Sequence, residues 1–277
     1  MSQTGGVGQD GRAQRVFAMG GTGLSRKPID RALNDYVLAI PGKPRPKICL
    51  LATASGDPEE QIVRFRRALG DHDCAPSHIS LFRLGKNPIR LRDHLLEQDI
   101  IYVGGGSMLN LLAIWRAHGV DEILAEAWTS GVVLVGLSAG SMCWFEAGIT
   151  KSGGPPKAAS GLGLLPGSNC VHYDSEPDRR PIYLDCVRAG MAGGYAVDDH
   201  VGLLFQGTGL VEAVSSREGA RAFRVERVGE TVVEAPIQPR SLEVSEPAAD
   251  AEALALLEFR ERHMRRRAHR AGWPRRA

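Results

Sequence analysis

Residues 131–142 read GVVLVGLSAGSM, an apolar run that ends abruptly in small and polar residues. A run this short and this hydrophobic is typical of a strand that is buried on both faces of a sheet. The pentapeptide at 136–140 fits G-x-S-x-G, which between a strand and a helix holds a serine hydroxyl exposed above the sheet. A turn that only needs small residues would have the same composition. Ser138 is therefore either a nucleophile or an incidental turn residue.

Similar apolar runs alternate with segments of helical periodicity on the N-terminal side of this strand. Such alternation predicts a mostly parallel sheet with helices on both faces. Strands are predicted at Arg15–Met19, 47–53, 77–83, 99–103 and 131–137. Helices are predicted at 29–38, 59–69, 89–96, 108–117 and 121–128. Beyond residue 200 the runs become shorter, and they predict a short antiparallel C-terminal extension of the same domain at 203–206, 210–214, Ala222–Val228 and 231–233.

Glycine clusters follow three of the predicted parallel strands. They lie at residues 20–23, 104–106 and 136–140. In open α/β sheets, ligands bind outside the carboxyl ends of the strands. The three clusters are therefore expected to meet at one rim of the sheet and to form a binding site there.

The chain has 277 residues, 43% of them hydrophobic, which is enough for one large domain. We assign residues 15–240 to a single α/β domain, residues 1–14 to a disordered lead-in, and residues 241–277 to a C-terminal helix (247–267) with a basic tail. A solvated helix end is the simpler interpretation of that tail. Binding to an acidic partner is the alternative.

The overall charge excludes no enzyme class but gives no reason to expect a nucleic-acid partner, because 34 basic and 32 acidic residues leave a net charge of +2. The five cysteines include no CxxC pair, and no apolar run is long enough for a signal peptide or a membrane span. We therefore expect a cytoplasmic protein with reduced thiols and no membrane contact. We expect it to need neither a metal nor another cofactor.

A serine hydroxyl needs a positioned base, and the base needs a third group to orient it. Among the eight histidines, His172 follows a predicted strand end and is the best candidate, with His200 as a competitor. Asp199, with Asp198 as its substitute, is the candidate orienting acid. The resulting order of serine, histidine and aspartate differs from the order in α/β-hydrolases and indicates a different fold.

Acyl transfer also needs N–H donors directed at the developing oxyanion. One candidate is the backbone N–H of Ala139, which follows the serine. The other could come from the glycines at 104–106, where missing side chains leave the amides exposed. Triple glycine more often marks a simple turn, so this assignment depends on its position at a neighbouring strand end.

Three motifs together carry a resemblance to a known family: GGGSMLNLL at 104–112, GLSAGSMCW at 136–144 and GLGLLPGSNCVHYDSE at 161–176. They resemble peptidase E, the aspartyl dipeptidase family of serine peptidases, over about residues 16–214. The resemblance implies a flavodoxin-like three-layer sandwich related to class I glutamine amidotransferases. It also implies cleavage of dipeptides that begin with aspartate.

Family roles carry over to the positions that match these motifs. The resemblance implies that Ser138 is the nucleophile and His172 the base, and that the oxyanion hole is formed by Ala139 with Gly105 or Gly106. The acid position departs from the family, because the well-known enterobacterial members have a glutamate after Gly-Leu-Pro. This chain has VDD at 197–199 instead, and an aspartate there must approach the histidine more closely.

The loop after the histidine is also shorter than in those members, where it supplies an arginine that recognises the aspartyl side chain. Arg180 is the best match, followed by Arg179. A guanidinium can hold a carboxylate by two parallel hydrogen bonds, although both arginines could equally be solvated charges at a helix start. Asp174 and Glu176 are candidates for binding the free α-amino group of a dipeptide, with surface acids as the alternative.

Three functions remain open. The first is a metal-independent serine dipeptidase whose partner is a small peptide with N-terminal aspartate, with a homodimer as a further option. The second is a cyanophycinase-like enzyme that cuts β-aspartyl-arginine polymer; that branch typically has alanine where this chain has Ser141. The third is a non-enzymatic protein that binds a small ligand on an amidotransferase-like fold.

Overall fold

Apolar runs of the sequence become the strands of two β-sheets. The computed structural model describes residues 13–23, 30–86 and 88–243. In this part of the chain the strands are β1 (Arg15–Met19), β2 (Lys47–Leu51), β3 (Ala75–Ile79), β4 (Ile100–Val103), β5 (Val133–Leu137), β6 (Phe145–Thr150), β7 (Lys157–Ser160), β8 (Leu165–Cys170), β9 (Gly194–Val197), β10 (Val201–Gln206), β11 (Gly209–Ser215), β12 (Ala222–Val228), β13 (Thr231–Ile237) and β14 (Arg240–Ser241).

Seven α-helices connect these strands within the described residues. They are α1 (Arg31–Ala39), α2 (Glu59–Ala68), α3 (Leu91–Leu96), α4 (Met108–His118), α5 (Val120–Thr129), α6 (Ala139–Met142) and α7 (Arg179–Arg188). Local chemistry sets several of their ends. The Asp30 carboxylate accepts the Leu33 N–H at 3.1 Å and begins α1, and Gly119, in the left-handed conformation, ends α4.

The larger sheet has eight strands in the order β14-β11-β10-β1-β5-β4-β2-β3. The strands β1, β5, β4, β2 and β3 are parallel neighbours, and β10 pairs with β1 in the antiparallel sense. The carboxyl ends of β1, β5 and β4 therefore lie side by side, and the three glycine clusters follow them. The predicted α/β class with a mostly parallel central sheet is confirmed.

A second sheet of six strands, in the order β13-β12-β9-β8-β6-β7, was not predicted. Its middle strands β6, β8 and β9 are parallel, and β12 and β13 are added to β9 in the antiparallel sense. The late strands β10 to β13 are antiparallel additions, as predicted, but they are divided between the two sheets. Strands β10 and β11 extend the larger sheet, whereas β12 and β13 pair with the second sheet.

Apolar side chains cover both faces of the larger sheet. One face packs against α1 and α2 through a core that includes Phe17, Leu33 and Phe65. The other face packs against α3, α4, α5 and the second sheet through a core that includes Trp115 and Phe145. A third cluster, around Tyr183 on α7, covers the outer face of the second sheet.

One predicted strand was misplaced. The segment 77–83 is not a single strand, because β3 ends at Ile79 and residues Leu81–Arg83 form a 3₁₀ turn. The predictions for residues 1–12 and for the helix and basic tail beyond Glu243 lie outside the described residues. Among the described residues, no helix is both long and apolar enough to cross a membrane.

Candidate active site

Ser138 lies in the tight turn between β5 and α6, at the carboxyl end of the most apolar strand. Its backbone has φ 55° and ψ −112°, a conformation that a residue with a side chain rarely adopts. The Ser138 N–H donates to the carbonyl of Gly20 at 3.1 Å, which ties the turn to the end of β1. A Cβ at Gly140 would lie 2.5 Å from the Val103 carbonyl oxygen, so the last glycine of the motif is needed for close packing against β4. The turn thus holds a half-buried serine in a strained, defined position.

His172 contacts the Ser138 hydroxyl from the end of β8. Its Nε2 lies 2.8 Å from Ser138 Oγ, and its Nδ1 lies 2.7 Å from Asp199 Oδ1. The His172 ring is almost fully buried and its backbone also has a positive φ of 59°. The three side chains form the continuous serine–histidine–carboxylate arrangement by which a histidine can accept a hydroxyl proton.

The two neighbouring aspartates after β9 have different partners. Asp199 faces His172, and its backbone N–H donates to Asp174 Oδ1 at 2.8 Å. Asp198 turns the other way and accepts the Arg221 backbone N–H at 2.9 Å. Burial raises the pKa of the Asp198 carboxyl, and the hydrogen bonds from Arg221 offset only part of that effect.

Gly21 lies against the histidine–aspartate pair. A Cβ at this position would fall 1.6 Å from Asp199 Oδ1 and 2.6 Å from His172 Nδ1. Only a glycine therefore leaves room for the hydrogen bond between these two side chains. The GGTG segment, which sequence analysis treated as part of the rim, thus also supports the internal geometry of the site.

Ser138 opens onto a cavity of about 280 Å³, lined by Gly21, Gln61, Arg64, Gly105, Gly106, Leu137 and Ser138. A Cβ at Gly105 would lie 3.1 Å from Ser138 Cβ, which places the glycine segment directly beside the serine. Within the described residues, the backbone N–H groups of Gly105, Gly106 and Ala139 meet no hydrogen-bond acceptor. Gly105 and Gly106 line the cavity, whereas Ala139, the residue after Ser138, is fully buried and is not among the lining residues.

Two other cavities of similar size lie away from Ser138. One, of about 280 Å³, is next to His78, and one, of about 330 Å³, is next to Arg217. The first is lined by both His78 and Ser80, but among the described residues Ser80 Oγ makes no hydrogen bond to that histidine. Ser138 Oγ, by contrast, lies 2.8 Å from His172 Nε2, so the chemistry favours the cavity at Ser138. Among the described residues, no group of three or more histidine, cysteine, aspartate or glutamate side chains could hold a metal ion.

The four predicted substrate-binding residues do not line the Ser138 cavity as the structure describes it. The buried Arg179 donates to the Ile149 carbonyl and, at 2.8 Å, to Glu176. Arg180 donates to both carboxylate oxygens of Glu234, with Nη2 at 2.6 Å from Oε2. Asp174 supports the Asp199 backbone and pairs with Arg217. All four therefore have protein partners.

The competing base His200 and the thiol of Cys143, five residues beyond the candidate nucleophile, have other partners. Burial raises the pKa of the Cys143 thiol well above its ordinary value, and its Sγ donates to the Gly140 carbonyl at 3.1 Å. His200 Nδ1 lies 3.0 Å from Asp30 Oδ2 rather than at the serine. Ser141 is fully buried and does not line the cavity, so its bearing on substrate choice rests on the sequence resemblance alone.

Sequence analysis missed Gln61 and Arg64, the two polar side chains that α2 contributes to the cavity. Their spacing of three residues puts them on one side of the helix, and α2 follows the carboxyl end of β2. That position is the only sequence signal for them. The position points to the cavity only when the strand order is known, because β2 lies two strands away from β5, which carries Ser138 at its end.

The chain is similar in sequence to known proteins. Residues 16–213 match the model of Peptidase family S51. The chain is 44% identical over 230 residues to "Uncharacterized peptidase YgaJ" of Bacillus subtilis, covering 83% of this chain and 99% of that protein. It is 28% identical over 153 residues to "Peptidase E" of Streptomyces coelicolor, covering 54% and 60% of the two chains.

Two solved structures have the same fold. One is a peptidase from an acI-B1 Actinobacterium, with a TM-score of 0.59 and 16% identity over 82% of this chain and 97% of the other. The second is a putative peptidase E from Listeria monocytogenes, with a TM-score of 0.55 and 17% identity over 73% and 98%. At these identities the likeness shows the fold alone.

Proposed function

The chain belongs to Peptidase family S51, and from that premise we propose that it is a serine peptidase that hydrolyses dipeptides and other short peptides with N-terminal aspartate. The observation that carries the serine mechanism is the pair of hydrogen bonds from Ser138 Oγ to His172 Nε2 at 2.8 Å and from His172 Nδ1 to Asp199 at 2.7 Å. The aspartate preference is supported by the resemblance of the three motifs to peptidase E.

In the proposed mechanism, Ser138 Oγ attacks the carbonyl carbon of the peptide bond that follows the aspartate, while His172 Nε2 takes its proton. Asp199 keeps the imidazole in the tautomer that can accept this proton and stabilises the imidazolium that forms. The N–H groups of Ala139 and of Gly105 or Gly106 stabilise the oxyanion. His172 then protonates the leaving amine, and water hydrolyses the acyl-enzyme.

The size of the cavity supports a small substrate. At about 280 Å³ it lies just below the range for small-ligand sites, roughly 300–1,000 Å³. This volume suits a dipeptide better than an extended polypeptide.

The decisive experiment measures release of aspartate from Asp-Leu by the wild-type protein and by the Ser138→Ala variant. We expect the variant to lose at least about 10⁴-fold in kcat, because the nucleophile is removed while the fold is kept. Circular dichroism checks the fold. Turnover by Ser138→Ala at the wild-type rate would rule out the serine mechanism.

Ser141→Ala is the matched control. Ser141 Oγ is buried without a hydrogen-bond partner among the described residues, so its removal should leave kcat for Asp-Leu within about 3-fold of wild type. Because the polymer-cutting branch has alanine at this position, wild-type and Ser141→Ala proteins are also plated on β-aspartyl-arginine polymer. Clearing by the wild type without cleavage of Asp-Leu would favour the cyanophycinase-like alternative.

A further inference from the structure

Arg64 is the only charged residue among those that line the Ser138 cavity in the described structure. The other lining residues are glycines, Leu137, Gln61 and Ser138 itself. A single cation in an otherwise uncharged recess favours an anionic group in the ligand. The cavity thus has a charge preference of its own, independent of Arg179 and Arg180.

The Arg64 guanidinium keeps most of its hydrogen-bonding capacity. Its Nη1 lies 3.2 Å from Glu60 Oε1, and the Glu60 side chain is 79% exposed, so this pair is a weak surface contact. Arg64 Nε is buried and meets no acceptor within the described residues. A guanidinium has five N–H donors, and a carboxylate can accept two of them in parallel. Because Nε is buried, an incoming carboxylate would meet the terminal nitrogens, for which Glu60 is the only acceptor among the described residues.

The amide of Gln61 lies beside Arg64 on the same side of α2. It is 4% exposed, lies within hydrogen-bond distance of Ser55 Oγ, and its Nε2 is 2.5 Å from where a Cβ of Gly104 would be. These contacts hold the amide against the glycine segment next to Ser138. Gln61 thus contributes an immobilised polar side chain to the Ser138 cavity, next to Arg64 and the glycine segment.

Arg179 and Arg180, by contrast, already have acceptors within the protein. Glu234 occupies Arg180 in a two-point contact, and the buried Arg179 is held by Glu176 and the Ile149 carbonyl. Releasing either guanidinium for a substrate would break its ion pair with Glu234 or Glu176. Arg64 needs no such rearrangement.

We propose that Arg64, supported by Gln61, binds a carboxylate of the peptide substrate beside Ser138. The proposal rests on the proposed peptidase function and specifies how its substrate is recognised. A dipeptide that begins with aspartate has two carboxylates that can meet this arginine, the aspartyl side chain and the C-terminus. Both have the same chemistry, and the experiment below distinguishes them.

The test measures binding to the catalytically inactive Ser138→Ala protein by calorimetry, with and without Arg64→Gln. The three ligands are Asp-Leu, Asn-Leu and Asp-Leu-amide. Loss of a two-point charged contact should weaken binding of Asp-Leu about 10- to 100-fold. If Arg64 holds the side chain, Asp-Leu-amide shows the same loss and Asn-Leu binds both proteins equally weakly. If Arg64 holds the C-terminus, Asn-Leu shows the same loss as Asp-Leu, and Asp-Leu-amide binds both proteins equally weakly.

Two further variants control for non-specific effects. Arg67→Gln makes the same change on an exposed part of α2 and should leave affinity for Asp-Leu unaltered. Arg64→Lys keeps the charge but not the planar fork, and it should recover part of the affinity. Equal losses for all three ligands, or no loss for any of them, would overturn the role of Arg64.

The outcome is separable from that of the peptidase proposal. If the wild-type protein cleaves none of these dipeptides but the Ser138→Ala protein binds Asp-Leu through Arg64, the carboxylate site stands and the hydrolytic function fails. If the wild type hydrolyses Asp-Leu and the Arg64→Gln variant hydrolyses it with unchanged kcat/KM, the hydrolytic function stands and the carboxylate site at Arg64 fails. Absence of Asp-Leu binding to the Ser138→Ala protein contradicts the Arg64 site.

Discussion

At the residue scale, the neighbouring aspartates Asp198 and Asp199 have different partners because their side chains point in different directions. Asp199 contacts His172 Nδ1, whereas Asp198 is 2% exposed and accepts from the Arg221 backbone. Successive side chains near the end of a strand point in opposite directions. Only one of the two can therefore orient the histidine, and the other holds β12 to the end of β9.

We expect Asp199→Asn to lower kcat for Asp-Leu by about 10³- to 10⁴-fold, because an amide cannot hold the imidazole in the accepting tautomer. Asp198→Asn should stay within about 3-fold of wild type, since burial already disfavours its charged form and an amide oxygen can still accept from Arg221. Steady-state kinetics on the two purified variants provide the comparison. A larger loss in Asp198→Asn would reverse the assignment.

At the scale of elements, Glu234 links β13 to helix α7 and to the segment after β8 through side-chain hydrogen bonds. Its carboxylate accepts from Arg180 at the start of α7 and, at 2.6 Å, from the Tyr173 hydroxyl beyond the end of β8. Burial by itself raises the pKa of Glu234, but the hydrogen bonds from Arg180 and Tyr173 outweigh it and hold the pKa below its ordinary value. Tyr173 follows His172 in sequence, so this contact also restrains the segment that carries the proposed base.

The Glu234 contact should make stability depend on pH. A carboxyl whose folded pKa is lowered contributes stability above its unfolded pKa of 4.5, and this contribution is lost as the pH falls through the lower folded value. Glu234→Gln should therefore destabilise the protein by about 1–2 kcal/mol at pH 7, and the difference should vanish in more acidic solution. Urea unfolding from pH 7 to pH 3 measures it.

Glu230→Gln, in the nearby turn, serves as the control, because the Glu230 side chain is 98% exposed. Its urea midpoints should follow those of the wild type at every pH. A difference between Glu234→Gln and wild type that stays constant down to pH 3 would show that the lost stability does not come from ionised Glu234.

At the scale of the whole molecule, the candidate site is shared between two sheets. Ser138 follows β5 of the larger sheet, whereas His172 and Asp199 follow β8 and β9 of the second sheet. Phe205, on β10 of the larger sheet, packs edge-on against Tyr195 at 5.2 Å and Phe145 at 5.7 Å between ring centroids, both from the second sheet. This aromatic cluster helps fix the serine relative to the histidine.

Truncating Phe205 should therefore affect both stability and catalysis. We expect Phe205→Ala to cost about 3–5 kcal/mol, because it leaves a cavity between the sheets, and Phe205→Leu to cost less, because it removes fewer buried atoms. The milder variant should fold and still show a lower kcat than wild type. Val211→Ala, at an exposed position on β11, should change neither. Urea midpoints measure the effect on stability, and steady-state kinetics measure the effect on kcat. A Phe205→Leu variant that is destabilised but has the wild-type kcat would contradict the expected effect on catalysis.

The parallel strands of the larger sheet and the turn at Ser138 could be predicted because local apolar patterns and turn residues encode them. The continuous runs at β1, β2, β4 and β5 are buried on both faces, so their hydrophobicity identified them as parallel strands. The second sheet escaped prediction because its strands have weaker patterns. The strand β7 reads KAAS and is largely exposed, and its existence depends on pairing with β6.

The sequence by itself determined the local chemistry: a serine in a strand-to-helix turn, a histidine at a strand end and two candidate acids. Tertiary structure decided which partners meet. It brought the histidine on the second sheet to the serine on the first, placed Asp199 rather than Asp198 at His172, and put Arg64 instead of Arg180 in the cavity. The physical reason is that strand pairing and packing between sheets are contacts between distant residues, which local sequence patterns do not encode.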